Sequence, residues 1–353
     1  RRQHRVLMDG KEPVGGRWNF DAENRRGFGR DGPGFVPEPP LFDADAITRD
    51  VMSVVEREFA DHPGSLAHFN WPVTRAQALV ALQRFIDDRL PAFGPFQDAM
   101  WSGMTFGWHS LLSTSLNLKL LNPREVIAAA EAAWQARKLD LAGVEGFIRQ
   151  VLGWREFIRG VYYLDMPGLR DANHFGHRNT LPQWYWTADT GMNCMRQCVG
   201  QTLEHGYAHH IQRLMVTGMF GVLAEISPQR VADWYLAVYV DAVDWVELPN
   251  TAGMALFANG GRFTSKPYVA SGAYVKRMSN YCDGCRYRPD TRTGPNACPM
   301  TTLYWRFLIR HEAEFAGNPR TALMVRNLAR LSEEECNLIA ADGERMLANL
   351  DGL

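Results

Sequence analysis

The sequence predicts an all-α fold. Three observations carry that reading: repeated helix-start signals, apolar residues spaced three and four apart, and no run in which apolar and polar residues alternate. Residues 1–43 stand apart as an Arg/Gly-rich arm or interdomain linker. Their stretch GFGRDGPGFVPEPP cannot hold a helix, because proline lacks the amide donor and glycine favours other backbone conformations. From residue 44 onward the pattern is helical. Thr74 with Gln77 forms a capping box, and Asn122, Pro123 and Glu125 supply a cap, a first-turn proline and an early acid. Phe147, Val151, Ile158 and Val161 mark one apolar helix face, and Ile211, Leu214, Met215 and Met219 mark another. Ser227-Pro228 and Asn318-Pro319 read as further starts, and Ser332 with Glu335 repeats the box.

The 353 residues are 46% hydrophobic and 22% charged, enough for one large core or two modest ones, which excludes a disordered or collagen-like chain. Lys and Arg total 38 against 39 Asp and Glu. The net charge of -1 gives no global attraction to nucleic acid, so any such contact requires a local basic patch. No 18-residue apolar run and no apolar signal region at the N-terminus are found; the expectation is an intracellular chain with no membrane partner. Neither a G-x-G-x-x-G nor a G-x-x-x-x-G-K-[ST] pattern is present, so nothing supports a dinucleotide fold or a P-loop.

Cys282-x2-Cys285-x12-Cys298 is a three-thiol cluster, with Pro299 directly after the last. Cys194 or Cys198 would complete a tetrahedral set, and four thiolates suit zinc or an iron–sulfur cluster equally. Cys336 falls on a late helix beyond the cluster. His205, His209 and Arg213 recur every four residues, which predicts one polar face on one helix, with His210 beside it; HGYAHH is not the H-E-x-x-H zinc pattern. Asp241, Asp244 and Glu247 follow among Trp234, Tyr235, Tyr239 and Trp245. Acids in such apolar company need a buried cation, and Arg213 is the candidate.

These segments together resemble the photolyase/cryptochrome family, and within it the bacterial iron–sulfur branch of (6-4) photolyase-like proteins. WHSLLSTSLNLKLLNPREV is similar to the family's flavin-phosphate stretch, with Ser110, Leu111, Leu112 and Ser113 at its centre, and departs from it at His109 and Thr114. GWREF, containing Trp154 and Arg155, matches a core motif. HGYAHHIQRLMVTG resembles the family's flavin-side helix, which implies cofactor contact by Arg213, pairing of Asp241 with it, and a place for Glu247 facing flavin N5. WNFDAENRR and GGRFTSKPYVASGAYVKRMSNYC resemble the iron–sulfur branch. The resemblance implies FAD, and a [4Fe-4S] cluster on Cys194, Cys282, Cys285 and Cys298 with Cys198 a bystander.

It further implies light-driven electron transfer from reduced FAD to a pyrimidine (6-4) lesion flipped out of UV-damaged DNA. His210 would be the proton donor, His209 its partner and Tyr268 a hydrogen-bonding neighbour, while Trp186, Trp234 and Tyr235 would refill the flavin with electrons. The segment RRQHR with Arg262, Lys266, Lys276 and Arg277 would form the basic surface. Residues 44–353 would then be the helical FAD-binding catalytic domain of a monomer acting at the bacterial nucleoid in the cytoplasm. An antenna chromophore belongs to a separate α/β domain of the family, which none of these residues resembles. The rival readings are a cryptochrome-like photoreceptor with the same cofactors, a flavin-free iron–sulfur DNA-binding protein resembling the primase large subunit, and a structural zinc protein.

Overall fold

Helices begin where the capping chemistry asks them to. In the computed structural model, which describes residues 1–353 apart from Lys138 and Phe263 (the latter in the GGRFTSKPYV stretch), the Thr74 hydroxyl accepts from the Gln77 amide. The Gln77 side chain accepts in return from the Thr74 amide, and the helix Arg75–Arg84 follows. Ser332 and Glu335 make the same reciprocal pair before Glu333–Ala348. Asn122 Oδ1 accepts from the Arg124 amide at 2.9 Å ahead of Pro123–Arg137, and Pro228 opens Pro228–Val238. Named strands are confined, among the described residues, to a two-residue hairpin pairing Met8–Asp9 with Glu12–Pro13.

Two expectations fail. Asn318-Pro319 does not start a helix: the Asn318 side chain accepts from the Arg320 amide to form a turn, and the next helix, Ala322–Arg326, begins after Thr321. Nor do His205, His209 and Arg213 share a helix face. The helix Asn193–His205 stops at Gly206, whose φ of 62° is the left-handed conformation that ends helices, and the chain re-enters a helix only after His209. The Gln212 side chain closes that restart by accepting from the His209 amide at 2.9 Å.

The arm contains no α-helix before Ala46, yet it is tied down. Leu7 and Phe20 are buried, the Leu7 amide donates to Glu131 at 2.7 Å, and fully buried Asn24 donates to the Ala142 carbonyl at 2.8 Å. Arg1 is spent here too, donating to the Leu7 carbonyl and facing buried Glu145 at 3.9 Å, so it does not belong to a free basic surface. Arg262 and Lys276 are likewise engaged, with Asp165 and Asp290.

Apolar side chains gather into two cores. One is built on Asn193–His205, on the helical run from His210 to Leu223, and on Pro228–Val238 and Pro299–Arg310. The other joins the arm to Arg75–Arg84, Pro123–Arg137 and Leu141–Arg149. The seam between the two cores is where side chains from both meet.

Candidate active site

A cavity of about 360 Å³ occupies that seam, within the range of small-molecule sites. Phe93, Leu116 and Phe147 of one core face Ile211, Leu214 and Tyr235 of the other across it. Three wide π-helical turns converge on it: Gln150–Trp154, Arg213–Gly218 and Pro249–Ala255. Such turns carry one more residue than an α-turn and are frequent at functional sites. Two of them touch at Gly218, where a Cβ would stand 2.6 Å from the Arg213 carbonyl oxygen and 2.9 Å from the Ala255 Cβ, so only glycine fits.

The charged lining is already connected. Arg213 donates to Asp241 Oδ1 at 2.9 Å and to the Ala208 carbonyl at 2.6 Å, and its guanidinium lies 3.7 Å from the centre of the Tyr239 ring. The other Asp241 oxygen accepts from the Ser113 hydroxyl at 2.7 Å. The sequence-level reasoning that a buried acid needs a cation thus finds its pair. Asp241, through its backbone carbonyl, also holds Asn117, which accepts from Arg155 at 2.8 Å, while Trp154 donates to Asn250 at 2.9 Å. Ser110, Leu111, Ser113, Trp154, Arg155, Arg213, Asp241 and Glu247 all line the cavity; Leu112 turns away into the smaller core.

Other groups remain open. Both ring nitrogens of buried His209 and one oxygen of buried Glu247 have no partner in this structure. Burial pushes the Glu247 carboxyl up to about 8, against a weaker opposing pull from Thr251 and Arg213. His209 stacks on His109, ring centroids 4.5 Å apart, and burial followed by its histidine neighbours lowers His209 well below the usual imidazole range. His109 is driven to about 3 by the same causes. His210 has protein around it yet exposes its ring into the open cavity. Desolvation, then Arg213, lowers it to about 4, and water in the cavity weakens that push.

Tyr235 lines the cavity and donates to the Arg213 carbonyl at 2.6 Å. Behind it Trp234 lies 5.5 Å away between ring centroids, and half-buried Trp186 a further 6.5 Å from Trp234. Tyr268 is not among the lining residues; it is half-buried against the larger core. Sequence reasoning missed Asn250, Thr251 and Tyr207 as lining residues, and saw His109 only as a departure from a motif.

Away from this cavity, Cys194, Cys282, Cys285 and Cys298 face a small pocket of about 20 Å³. Cys194 sits in the first turn of Asn193–His205 and Cys298 immediately before Pro299–Arg310; burial pushes both thiols up, against the pull of the helix N-termini they occupy. Gly272 presses against the pocket: a Cβ there would stand 2.9 Å from the Cys298 sulfur. Cys198 is buried outside it, and Cys336 is half-buried on Glu333–Ala348. Among the described residues no three cysteine sulfurs lie within 4.8 Å of one another.

A helical body around an open, mostly apolar cavity that carries a few paired polar groups, with an aromatic file leading out of it, has the form of a cofactor-binding domain. A "(6-4) photolyase" of Agrobacterium fabrum is 49% identical over 351 residues, covering 99% of this chain and 69% of that protein. The family model described as deoxyribodipyrimidine photo-lyase-related protein matches residues 1–71. The chain belongs to the photolyase/cryptochrome family. More distant are two solved structures, a bacterial class III photolyase from Agrobacterium tumefaciens (TM-score 0.48, 18% identity, 70% of this chain) and the Synechocystis sp. PCC6803 cryptochrome (TM-score 0.47, 17% identity, 85% of this chain). The chain spans 51% and 53% of their lengths. Family membership implies FAD, and the polar groups of the seam cavity suit it: the paired charges and the orphaned polar atoms of His209 and Glu247 answer to polar groups of an occupant. No helix among the described residues is long and apolar enough to cross a membrane.

Proposed function

We propose that this chain repairs pyrimidine (6-4) lesions in UV-damaged DNA, using FAD held in the seam cavity. The observation that carries the reading is the cavity itself: charges paired in advance by Arg213, Asp241 and Ser113, an exposed His210, and a file of aromatics behind Tyr235. When bound and reduced, FAD supplies on illumination the electron that opens the lesion. The chain's own work is binding, positioning and proton control. Arg213 would hold negative charge on the bound FAD, and Asp241 fixes its orientation. Ser110, Leu111 and Ser113 would bind the cofactor's phosphates, and Trp154 and Arg155 line the same cavity. Leu112 supports that stretch from behind.

His210 gives its proton to the lesion. Its lowered pKa leaves it neutral at pH 7 in the free protein, so it must take up a proton as the lesion docks; phosphate charge entering the cavity favours the imidazolium. His209, pinned against His109, keeps the neighbouring backbone in register. Tyr268 stands outside the lining, against the larger core, and not as a direct partner of His210. Glu247 stays protonated at neutral pH and presents a hydrogen bond without adding a second negative charge beside a reduced flavin. Trp186, Trp234 and Tyr235 carry electrons inward from the surface.

The four-thiol pocket is proposed to hold a [4Fe-4S] cluster, a reading supported by four cysteines that face one pocket. Residues 1–43 are taken as an arm and residues 44–353 as the catalytic domain of a monomer working on nucleoid DNA. The test is repair of an oligonucleotide with one (6-4) lesion by the purified flavoprotein under blue light. His210→Ala should bind the lesion and lose about 10²- to 10⁴-fold in repair rate. Flavin that photoreduces without any repair by the parent protein would favour the photoreceptor reading, and a flavin-free protein would sink both.

A further inference from the structure

His68, Glu204 and His205 converge outside both sites already described. They border a surface groove of about 680 Å³ between the helix Ala46–Glu58, the loop after it and the end of Asn193–His205. The Nε2 of His68 lies 3.1 Å and the Nε2 of His205 3.7 Å from one and the same oxygen, Glu204 Oε1. All three ligand atoms fall within 4.8 Å of one another. Atoms bound tetrahedrally at about 2.0–2.1 Å to one zinc ion stand roughly 3.3 Å apart, so small side-chain movements suffice to close the set.

Charge points the same way. The two imidazole rings are 5.0 Å apart between centroids. Two imidazolium ions at that separation repel, and a single carboxylate cannot neutralise both. Neutral rings and one carboxylate around a dication satisfy every group. The helix also ends here, and its last carbonyls present the negative end of the helix dipole. Side-chain exposures of 49%, 55% and 20% leave an entry path and room for water as a further ligand.

We propose that His68, Glu204 and His205 form a binding site for a divalent transition-metal ion of the zinc class. Occupancy would staple the loop carrying His68 to the helix end that leads through Gly206 to His209 and His210. Packing transmits the constraint, since Phe106 lies 5.6 Å from the ring of His205 and 5.5 Å from that of Tyr207 in the cavity wall. The site is independent of the flavin and of the cysteine pocket, and its test needs no light.

The purified holoprotein is dialysed against a chelator and titrated with Zn²⁺ by calorimetry and with Co²⁺ by visible absorption. One equivalent should bind, the cobalt form should show ligand-field bands, and zinc should raise the melting temperature. A His68→Ala/His205→Ala double variant should lose that equivalent and the thermal shift while its flavin and iron contents stay unchanged. Glu204→Gln should bind at least about tenfold more weakly. Failure of the parent protein to take up Zn²⁺ at micromolar concentration would overturn the site, as would a double variant that binds with parental stoichiometry and affinity. The second result would assign the uptake to other groups.

Discussion

The seam cavity and the cysteine pocket solve the same problem in opposite ways. In the cavity, polar groups are mostly spent on one another: Arg213 on Asp241, Asp241 on Ser113, Trp154 on Asn250. Its walls hold their geometry through these bonds, leaving a few groups open for what enters. In the pocket the thiols have few protein partners: Cys298 accepts from the Met300 and Thr301 amides, and the contact of Cys285 with the Gly191 carbonyl at 3.8 Å is a weak one. Four sulfurs drawn from a helix start, a turn and a second helix start are held together mainly by packing unless something binds them. A preorganised site can lose its ligand and keep its shape, whereas a site with few internal bonds makes its ligand part of the fold.

That contrast can be broken most forcefully at the pocket. Cys282→Ala should yield insoluble or iron-free protein, while Cys198→Ala should keep full iron content and cost about 1 kcal/mol of stability. Iron analysis of both variants decides, and equal losses would remove Cys198 from its bystander role. Next in size is Arg213→Ala. It leaves half-buried Asp241 without its cation, which costs about 1–3 kcal/mol, and flavin should be lost as well. Denaturant unfolding and flavin absorbance measure the two effects; an unchanged flavin content would show that the cavity does not depend on its internal pairing.

The smallest effect sharpens the comparison. Glu247 keeps a proton in the folded protein up to about pH 8, whereas the unfolded chain releases it near 4.5. Between those values the native state binds more protons than the unfolded one, so this group's contribution to stability falls as pH rises, by at most about 1.4 kcal/mol per pH unit. Glu247→Gln should remove that slope in apoprotein melts and flatten the pH dependence of flavin photoreduction. Superimposable profiles for the two proteins would make Glu247 an ordinary ion-paired or hydrated acid.

Helix starts were legible in the sequence because capping is local: Thr74 and Gln77, or Ser332 and Glu335, need only each other. The Arg213–Asp241 pair was legible for a different reason, since an acid among Trp and Tyr residues demands a cation. The histidine face was misread because a four-residue spacing assumes an unbroken helix. Gly206 was the available signal against it, a residue suited to the left-handed turn that ends helices. Spacing could not choose between Cys194 and Cys198, one helical turn apart; only the neighbouring elements decide which sulfur meets the pocket. His68 gave no signal, because its partners lie far along the chain.

The three π-turns around the cavity have a consequence for how such a site can change. Each amounts to one residue inserted into an α-helix and taken up in the widened turn, so removing that residue would restore an α-turn and leave the helix beyond it in register. Deleting one position within Arg213–Gly218 would therefore reshape the cavity wall at Arg213 and Leu214 while leaving Met219 and Phe220 in the core. The shape of this cavity is written partly in chain length, a variable that substitution scanning never samples and single-codon deletions do.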